Sequence, residues 1–178
     1  MSLPAQPDPV LLVCGVLRRE THDWKATMAA LEQRFGPMID STDDRPFTET
    51  TYYEPEMGPR LMRRYMAFER VIDPVTLADI KLATNALEDA SAEEGSRTVN
   101  LDPGIVTSHS LILATCKDFS HRIYLRDGVY AEVTLIARKH RLDVLPWTFP
   151  DYRKAETIAF FERQRQHLLA VQKTMRDA

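Results

Sequence analysis

The spacing of hydrophobic positions changes period several times along the chain. Val10 to Leu17 (VLLVCGVL) is an unbroken apolar run of strand length, which predicts a central strand buried on both faces. Trp24, Met28, Leu31 and Phe35 then recur at helical spacing, with Thr21 or Asp23 placed to cap the start and Gly36-Pro37 as a strong stop. Met38 to Asp40 reads as a short strand, and the polar stretch up to Pro46 as a loop. From Phe47 to Arg60 the segment is rich in aromatics and carboxylates and broken by Pro55, Gly58 and Pro59, so it either packs over a sheet edge or lines a pocket. Leu61 to Ile72 alternates, with Met62, Met66, Phe68 and Ile72 on one face and Leu61, Tyr65, Ala67 and Val71 on the other, interrupted by Arg63 and Arg64. Asp73-Pro74 supplies the cap and first-turn proline of a second helix, marked by Leu77, Ile80, Thr84 and Leu87.

The stretch from Arg97 to Leu135 is the densest in structure signals. Arg97 to Leu101 reads as a strand ended by an Asp102-Pro103-Gly104 turn, and Ser110 to Cys116 as an interior strand. Lys117 to Ser120 is a short connection, Ile123 to Leu125 a strand, Asp127-Gly128 a two-residue hairpin and Val129 to Ile136 the return strand. An ideal register at this hairpin opposes Arg126 to Val129, Leu125 to Tyr130, Ile123 to Glu132 and His121 to Thr134. His121 and Glu132 then share a face, with Arg122 on the other. Arg138 to Arg141 is a basic turn, and two prolines deny regular structure around Trp147 and Phe149. Asp151 is expected to cap a last helix from about Tyr152 to Met175. At about 1.5 Å per residue it would be about 35 Å long, enough to overhang a small sheet and serve a partner.

This succession predicts one α+β domain. Its expected parts are a flexible tail over 1–9 and a ferredoxin-like βαββαβ core over 10–101, extended by an antiparallel β-meander over 102–136 and a long C-terminal helix over 151–176. The second core strand rests on Met38 to Asp40 alone; without it the class stands and the named fold fails.

A formal charge of -3 and a hydrophobic content of 44% change this picture little, and they give no field that would draw the chain onto nucleic acid or an anionic membrane. RNA binding would rest on fold analogy alone, because no RNP-like aromatic motif is present. No signal-like N-terminus or membrane-length apolar run is found, so the cytoplasm is the expected location. Cys14 and Cys116 lie in separate apolar runs and read as buried thiols.

One set of segments resembles a prokaryotic family known as domain of unknown function 4416. The matching residues are Tyr52-Tyr53 with Glu56-Met57-Gly58, Ile72-Asp73-Pro74, Ile80-Lys81 with Thr84-Asn85, Val99 to Gly104 (VNLDPG), Lys117 to Tyr124 (KDFSHRIY), Tyr130 to Leu135 (YAEVTL) and Pro146 to Arg153 (PWTFPDYR). The resemblance implies a shared fold and site and names no activity. The chain departs from the family pattern at Cys116, where threonine is expected, and at His109, which argues against either carrying shared chemistry.

The candidate site gathers Asn100, Asp102, Lys117, Asp118, His121, Arg122 and Glu132, approached by Tyr53, Glu56 and by Asp151 or Arg153. Imidazole beside a carboxylate makes a tuned general base or a metal ligand, so His121 and Glu132 are the candidate catalytic pair. Lysine and arginine beside them could neutralise a phosphate or carboxylate. The competing reading is structural: Asp102 and Asp118 make turns, His121 bonds a carbonyl, and Arg122 pairs with Glu132 across strands. A Cys116–His121 thiolate pair and a metal set of His121, Glu132 and Asp102 have suitable groups without diagnostic spacing. His109, His140 and His167 are dispersed and read as surface or core-edge positions. Phosphate-loop, dinucleotide, zinc-protease and serine-hydrolase motifs are absent. The expectation is a small anionic ligand, phosphorylated or nucleotide-like, processed by acid/base or metal-assisted chemistry. The alternative is a non-catalytic module that assembles with itself, as a homodimer, or with a partner through the last helix and the 47–59 loop.

Overall fold

The computed structural model describes residues 3–139 and 141–177; His140 lies outside them. In chain order the elements are β1 (Val10–Arg19), α1 (Trp24–Phe35), β2 (Met38–Ser41), β3 (Arg45–Pro46), the single turn α2 (Glu54–Met57), β4 (Leu61–Ile72), α3 (Leu77–Ala90), β5 (Val99–Val106), β6 (Ser110–Thr115), β7 (Ile123–Arg126), β8 (Val129–Arg138), β9 (Arg141–Val144) and α4 (Ala155–Asp177). The strands form one nine-stranded antiparallel sheet, ordered β2-β4-β1-β5-β6-β8-β7, with β3 also on β4 and β9 also on β8.

The unbroken apolar run of β1 is explained by its place between β4 and β5. Its alternate side chains serve two cores. Leu12, Cys14 and Val16 pack with Leu31 of α1 and Ile80 of α3, while Leu11 and Val13 pack with Phe160, Phe161 and Leu168 of α4 on the opposite face. Asp23 caps α1 by accepting from the N–H groups of Lys25 and Ala26. Asp73 caps the 3-10 turn that leads into α3.

Five expectations are corrected. Residues 102–104 do not turn: β5 runs straight through them. Pairing with β6 begins only at Gly104, so Pro103 sits where that ladder is absent and its missing N–H is tolerated. Gly104 is required for close approach instead, since a Cβ there would lie 2.6 Å from the Ile112 carbonyl oxygen. The last three strands do not form a simple meander, because β8 lies between β6 and β7. The hairpin register also slips. Arg126 opposes Val129 as expected, but a bulge at Leu125 sets Tyr124 against Tyr130 and Ile123 against Ala131, and His121 precedes the strand instead of facing Thr134. Cys116 is exposed, since β6 ends one residue before it.

The fifth correction concerns the C-terminal segment. Asp151 does not cap α4; a 3-10 turn over Pro150–Arg153 precedes that helix and turns the carboxylate inward. Helix α4 does not overhang a small sheet, because the sheet is wide. At about 4.8 Å per strand, seven strands in line span roughly 30 Å, and α4 is buried at intervals from Thr157 to Gln172, leaving only its last turn projecting. No helix among the described residues is long and apolar enough to cross a membrane.

Candidate functional site

Two places in the sheet lack a neighbouring strand, and side chains take its place. Because β5 and β6 pair only from Gly104 onward, they diverge around Leu101. There the Leu101 N–H donates to Glu88 Oε1 (2.7 Å) and its carbonyl accepts from Lys81 Nζ (2.8 Å), both from α3. The second gap lies on β8 between its partners β7 and β9. It is closed by Trp147 Nε1 donating to the Val133 carbonyl (2.8 Å) and Thr148 Oγ1 to the Thr134 carbonyl (2.6 Å).

The first gap opens into a cavity of about 410 Å³, roofed by the 47–53 segment and by Phe149–Tyr152. This is within the roughly 300–1,000 Å³ of small-molecule sites. Its floor is the α4-facing side of the sheet, where Gly15, Leu17, Asn100 and Asp102 lie in register across β1 and β5. Gly15 admits what a side chain would displace: its Cβ would meet Tyr152 Oη at 2.6 Å and Arg63 Nη2 at 3.2 Å.

A charged network crosses the cavity wall. Arg63, with 5% of its side chain exposed, donates from Nη1 to Asp102 Oδ2 (3.0 Å). Its Nε lies 2.9 Å from Asp151 Oδ2, an ion-pair contact without hydrogen-bond alignment. Tyr65 Oη donates to that same oxygen (2.7 Å). Asn100 Nδ2 donates to Asp102 Oδ1 (2.9 Å), and its Oδ1 accepts from Arg97 Nη1 (2.8 Å). Arg97 also grips Glu56 through two 2.7 Å bonds and reaches Glu88 Oε2 at 3.0 Å. Burial works against ionisation of Asp102, but Arg63 outweighs it, helped by Lys81 and the bond from Asn100, so its pKa falls below the ordinary carboxylate value. Glu88 goes the other way: burial raises its pKa despite Lys81, the Leu101 N–H and Arg97.

On the β8 side, buried Glu132 holds two donors on one oxygen: His121 Nε2 at 3.0 Å and Arg122 Nε at 2.8 Å, both to Oε2. Its Oε1 has only Thr134 Oγ1 at 3.5 Å. Arg122 Nη1 donates to the Lys117 carbonyl (2.9 Å), and Lys117 Nζ donates to Tyr52 Oη (2.7 Å) at the cavity mouth. His121 is stacked on Trp147, with ring centroids 5.0 Å apart.

A model of one family matches residues 8–168, from just before β1 to within α4. The chain belongs to that family, described as Domain of unknown function (DUF4416). Every residue lining the cavity falls inside the DUF4416 match. No curated protein and no solved structure matches the chain.

Of the residues singled out in the sequence, Tyr53, Asn100, Asp102, Lys117, Arg122, Glu132 and Asp151 line the cavity of this DUF4416 member. His121 does not; it stands behind Glu132. Glu56 acts through Arg97. Asp118 is exposed outside the lining, and Arg153 holds the carbonyls of Pro146 and Thr148. The suggested metal set is not assembled, since Asp102 on β5 is taken up by Arg63 of β4 while Glu132 sits on β8. Among the described residues no group of three His, Cys, Asp or Glu is placed to hold a metal ion. The thiolate pair is not formed either; Cys116 Sγ instead accepts from Asn85 Nδ2 (3.3 Å). Sequence reasoning missed Arg63, Arg97, Lys81, Glu88 and Tyr152. Arg63 left a signal, a charge inside a strand that otherwise alternates as core, and Lys81 and Tyr152 lie in segments that carry the family resemblance.

Proposed function

We propose that the DUF4416 cavity binds a small anionic ligand through Arg122 and Lys117, and that Glu132 exchanges a proton with it. What supports this reading is a surplus of donors. Four of the six lining carboxylates are taken up within the cavity wall: Asp102 by Arg63 and Asn100, Asp151 by Arg63 and Tyr65, Glu88 by Arg97 and Leu101, Glu132 by His121 and Arg122; Glu49 pairs with Lys154, and Asp89 is exposed. Nη2 of Arg63, Nη2 of Arg122 and two of the three Lys117 Nζ protons have no acceptor among the described residues. Spare donors on Arg63, Arg122 and Lys117, beside carboxylates that are mostly engaged, suit an acceptor-rich ligand. Glu132 Oε1, without a close donor, is the oxygen free to take a proton, while His121 positions Oε2.

Titration of the protein with inorganic phosphate, followed by thermal shift and calorimetry, tests this. Binding raises the melting temperature by mass action, and Arg122→Met weakens it about tenfold or more, the worth of one charge-assisted hydrogen bond. Phosphate that leaves the melting temperature unmoved, or that binds Arg122→Met and Lys117→Met as it binds the parent, removes the anion site. If His121→Ala and Glu132→Ala merely lower the melting temperature and leave binding intact, Glu132 has no role beyond structure.

The sub-sheet β2-β4-β1-β5, with α1 and α3 on one face, supports a ferredoxin-like core. The free thiols Cys14 and Cys116 support a reducing, cytoplasmic setting. A second reading, self-assembly, draws support from the terminal strand β7, where Ile123 and Tyr124 are exposed beside Phe119. Light scattering decides it: a tight dimer lost on Ile123→Lys supports that edge, and a strict monomer removes it.

A further inference from the structure

Around the cavity hydrogen-bond donors are in surplus and positive charge is not. The lining holds five cations and six carboxylates. Arg63 is shared by Asp102 and Asp151. Lys81 and Arg97 meet on Glu88, and Arg97 also holds Glu56. Arg122 meets Glu132, Glu49 pairs with Lys154, and Asp89 is exposed. Lys117 is left as the lining cation with no carboxylate partner among the described residues, and its ammonium rests on Tyr52. Donors are therefore available to an anion, but no reserve of positive charge is there to neutralise a doubly ionised one.

Glu132 stands where the free donors converge. It has 1% of its side chain exposed, and His121 Nε2 and Arg122 Nε both occupy its Oε2. Oε1 keeps only a long contact to Thr134 Oγ1 at 3.5 Å. Nη1 of Arg122 is turned to the Lys117 carbonyl, whereas Nη2 projects from the same edge of the planar fork as Nε, the edge that faces Glu132. A free donor and a free carboxylate oxygen thus lie side by side at the wall. An oxyanion bonded to that donor sets an oxygen against Oε1, and two ionised oxygens repel strongly in so dry a position. A proton between them replaces the repulsion with a charge-assisted hydrogen bond.

We propose, resting on the anion reading above, that the ligand group is a phosphate that keeps one acidic O–H, and that Glu132 is the residue that selects it. The O–H donates to Glu132 Oε1 while the other oxygens accept from Arg122 Nη2 and Lys117 Nζ. A sulfate, similar in size and shape but without a proton to give, is rejected. A site built to bond a hydroxyl discriminates strongly against the analogue that lacks it, because the buried partner is left unpaired.

Calorimetry of the full chain with phenyl phosphate and phenyl sulfate, and with inorganic phosphate and sulfate, tests this at about pH 6, where a phosphomonoester is close to its second ionisation and a large share carries one proton. Each phosphate is expected to bind about tenfold or more tighter than its sulfate. Glu132→Gln presents an amide N–H in place of a bare oxygen, so it should weaken phenyl phosphate, strengthen phenyl sulfate and remove most of the preference. If that variant does not fold, Glu132→Asp, which keeps the charge and withdraws it by one methylene, should weaken phenyl phosphate and not phenyl sulfate. Within a supporting result, phenyl phosphate bound tighter than inorganic phosphate assigns the group to an ester seated against Phe47 and Phe149, and the reverse assigns it to the free ion. Binding without preference for phosphate over sulfate overturns the inference and spares the anion site. No binding of any of the four overturns both. A preference that survives both substitutions of Glu132 overturns its role as the selecting residue.

Discussion

Replacing Arg63 with methionine keeps the length of the side chain and removes the one cation between Asp102 and Asp151. Arg63 has 5% of its side chain exposed and Asp151 the same, so the abandoned Asp151 carboxylate cannot turn to bulk water, and Asp102, with 26% exposed, can do so only in part. Breaking a buried pair by deleting one partner costs about 3–5 kcal/mol, because an uncompensated charge stays behind. For a chain of this size each kcal/mol is worth roughly 2–4 °C, so the melting temperature should fall by about 6–20 °C at neutral pH.

The pH dependence gives a sharper check. In the parent protein the folded pKa of Asp102 lies below its unfolded value. Its contribution to stability is therefore present above the unfolded carboxyl pKa and lost as pH falls through the lower folded one. Without Arg63 the remaining dominant influence is burial, which favours the neutral acid. The variant then binds that proton more readily when folded than when unfolded, and its deficit shrinks as pH falls from about 7 to about 4. Arg63→Met combined with Asp102→Asn should recover part of the loss at neutral pH. Urea unfolding of the three proteins at both pH values measures this. A deficit under about 1 kcal/mol at neutral pH, or one that does not change on acidification, would refute the argument that Arg63 neutralises a buried carboxylate.

Three further outcomes follow from the same contacts. Gly104→Ala sets a Cβ 2.6 Å from the Ile112 carbonyl oxygen, a backbone atom that cannot swing away; it should cost about 1–3 kcal/mol, with faster amide exchange at the β5–β6 pairs. Gly58→Ala, with open space around the site, faces only its positive φ of 75° and should cost less in the same melting assay. Glu88→Ala should destabilise by about 1–3 kcal/mol by stranding the Leu101 N–H, while Glu88→Gln keeps an acceptor there and should lose less by thermal melting.

Features set by neighbours in sequence were legible before any coordinates. The β1 run, the Asp23 and Asp73 caps and the alternation of β4 depend on contacts within a few residues or on one repeated face. Asp-Pro-Gly misled because its local chemistry is that of a turn; only the absence of β6 opposite Pro103 and the nearness of Ile112 to Gly104 explain why a strand runs through it. The hairpin turn was readable and its register was not, since the bulge at Leu125 has no composition signature. The site was half legible for the same reason. Glu132 and Arg122 lie ten residues apart on one hairpin, whereas Arg63, Asp102 and Asp151 come from three distant segments and no spacing joins them.

The two gaps in the sheet explain why the cavity lies where it does. A strand edge inside a protein cannot be left with bare N–H and C=O groups. At β8 the side chains of Trp147 and Thr148 bond the open backbone and fill the space, which fixes the strand that carries Glu132. At β5 the partners Lys81 and Glu88 come from α3, on the opposite face from the cavity roof. They satisfy Leu101 without filling the volume between β5 and β6. One gap is therefore plugged and rigid, the other bonded and hollow, and Glu132 faces from the first into the second. Filling the hollow from within, by Thr115→Leu on the lining of β6 and on the same face as Leu113 and Glu132, should abolish phosphate binding while leaving the Lys81 and Glu88 bonds to hold the strand. Phosphate affinity unchanged in a folded Thr115→Leu protein would place the anion somewhere other than this notch.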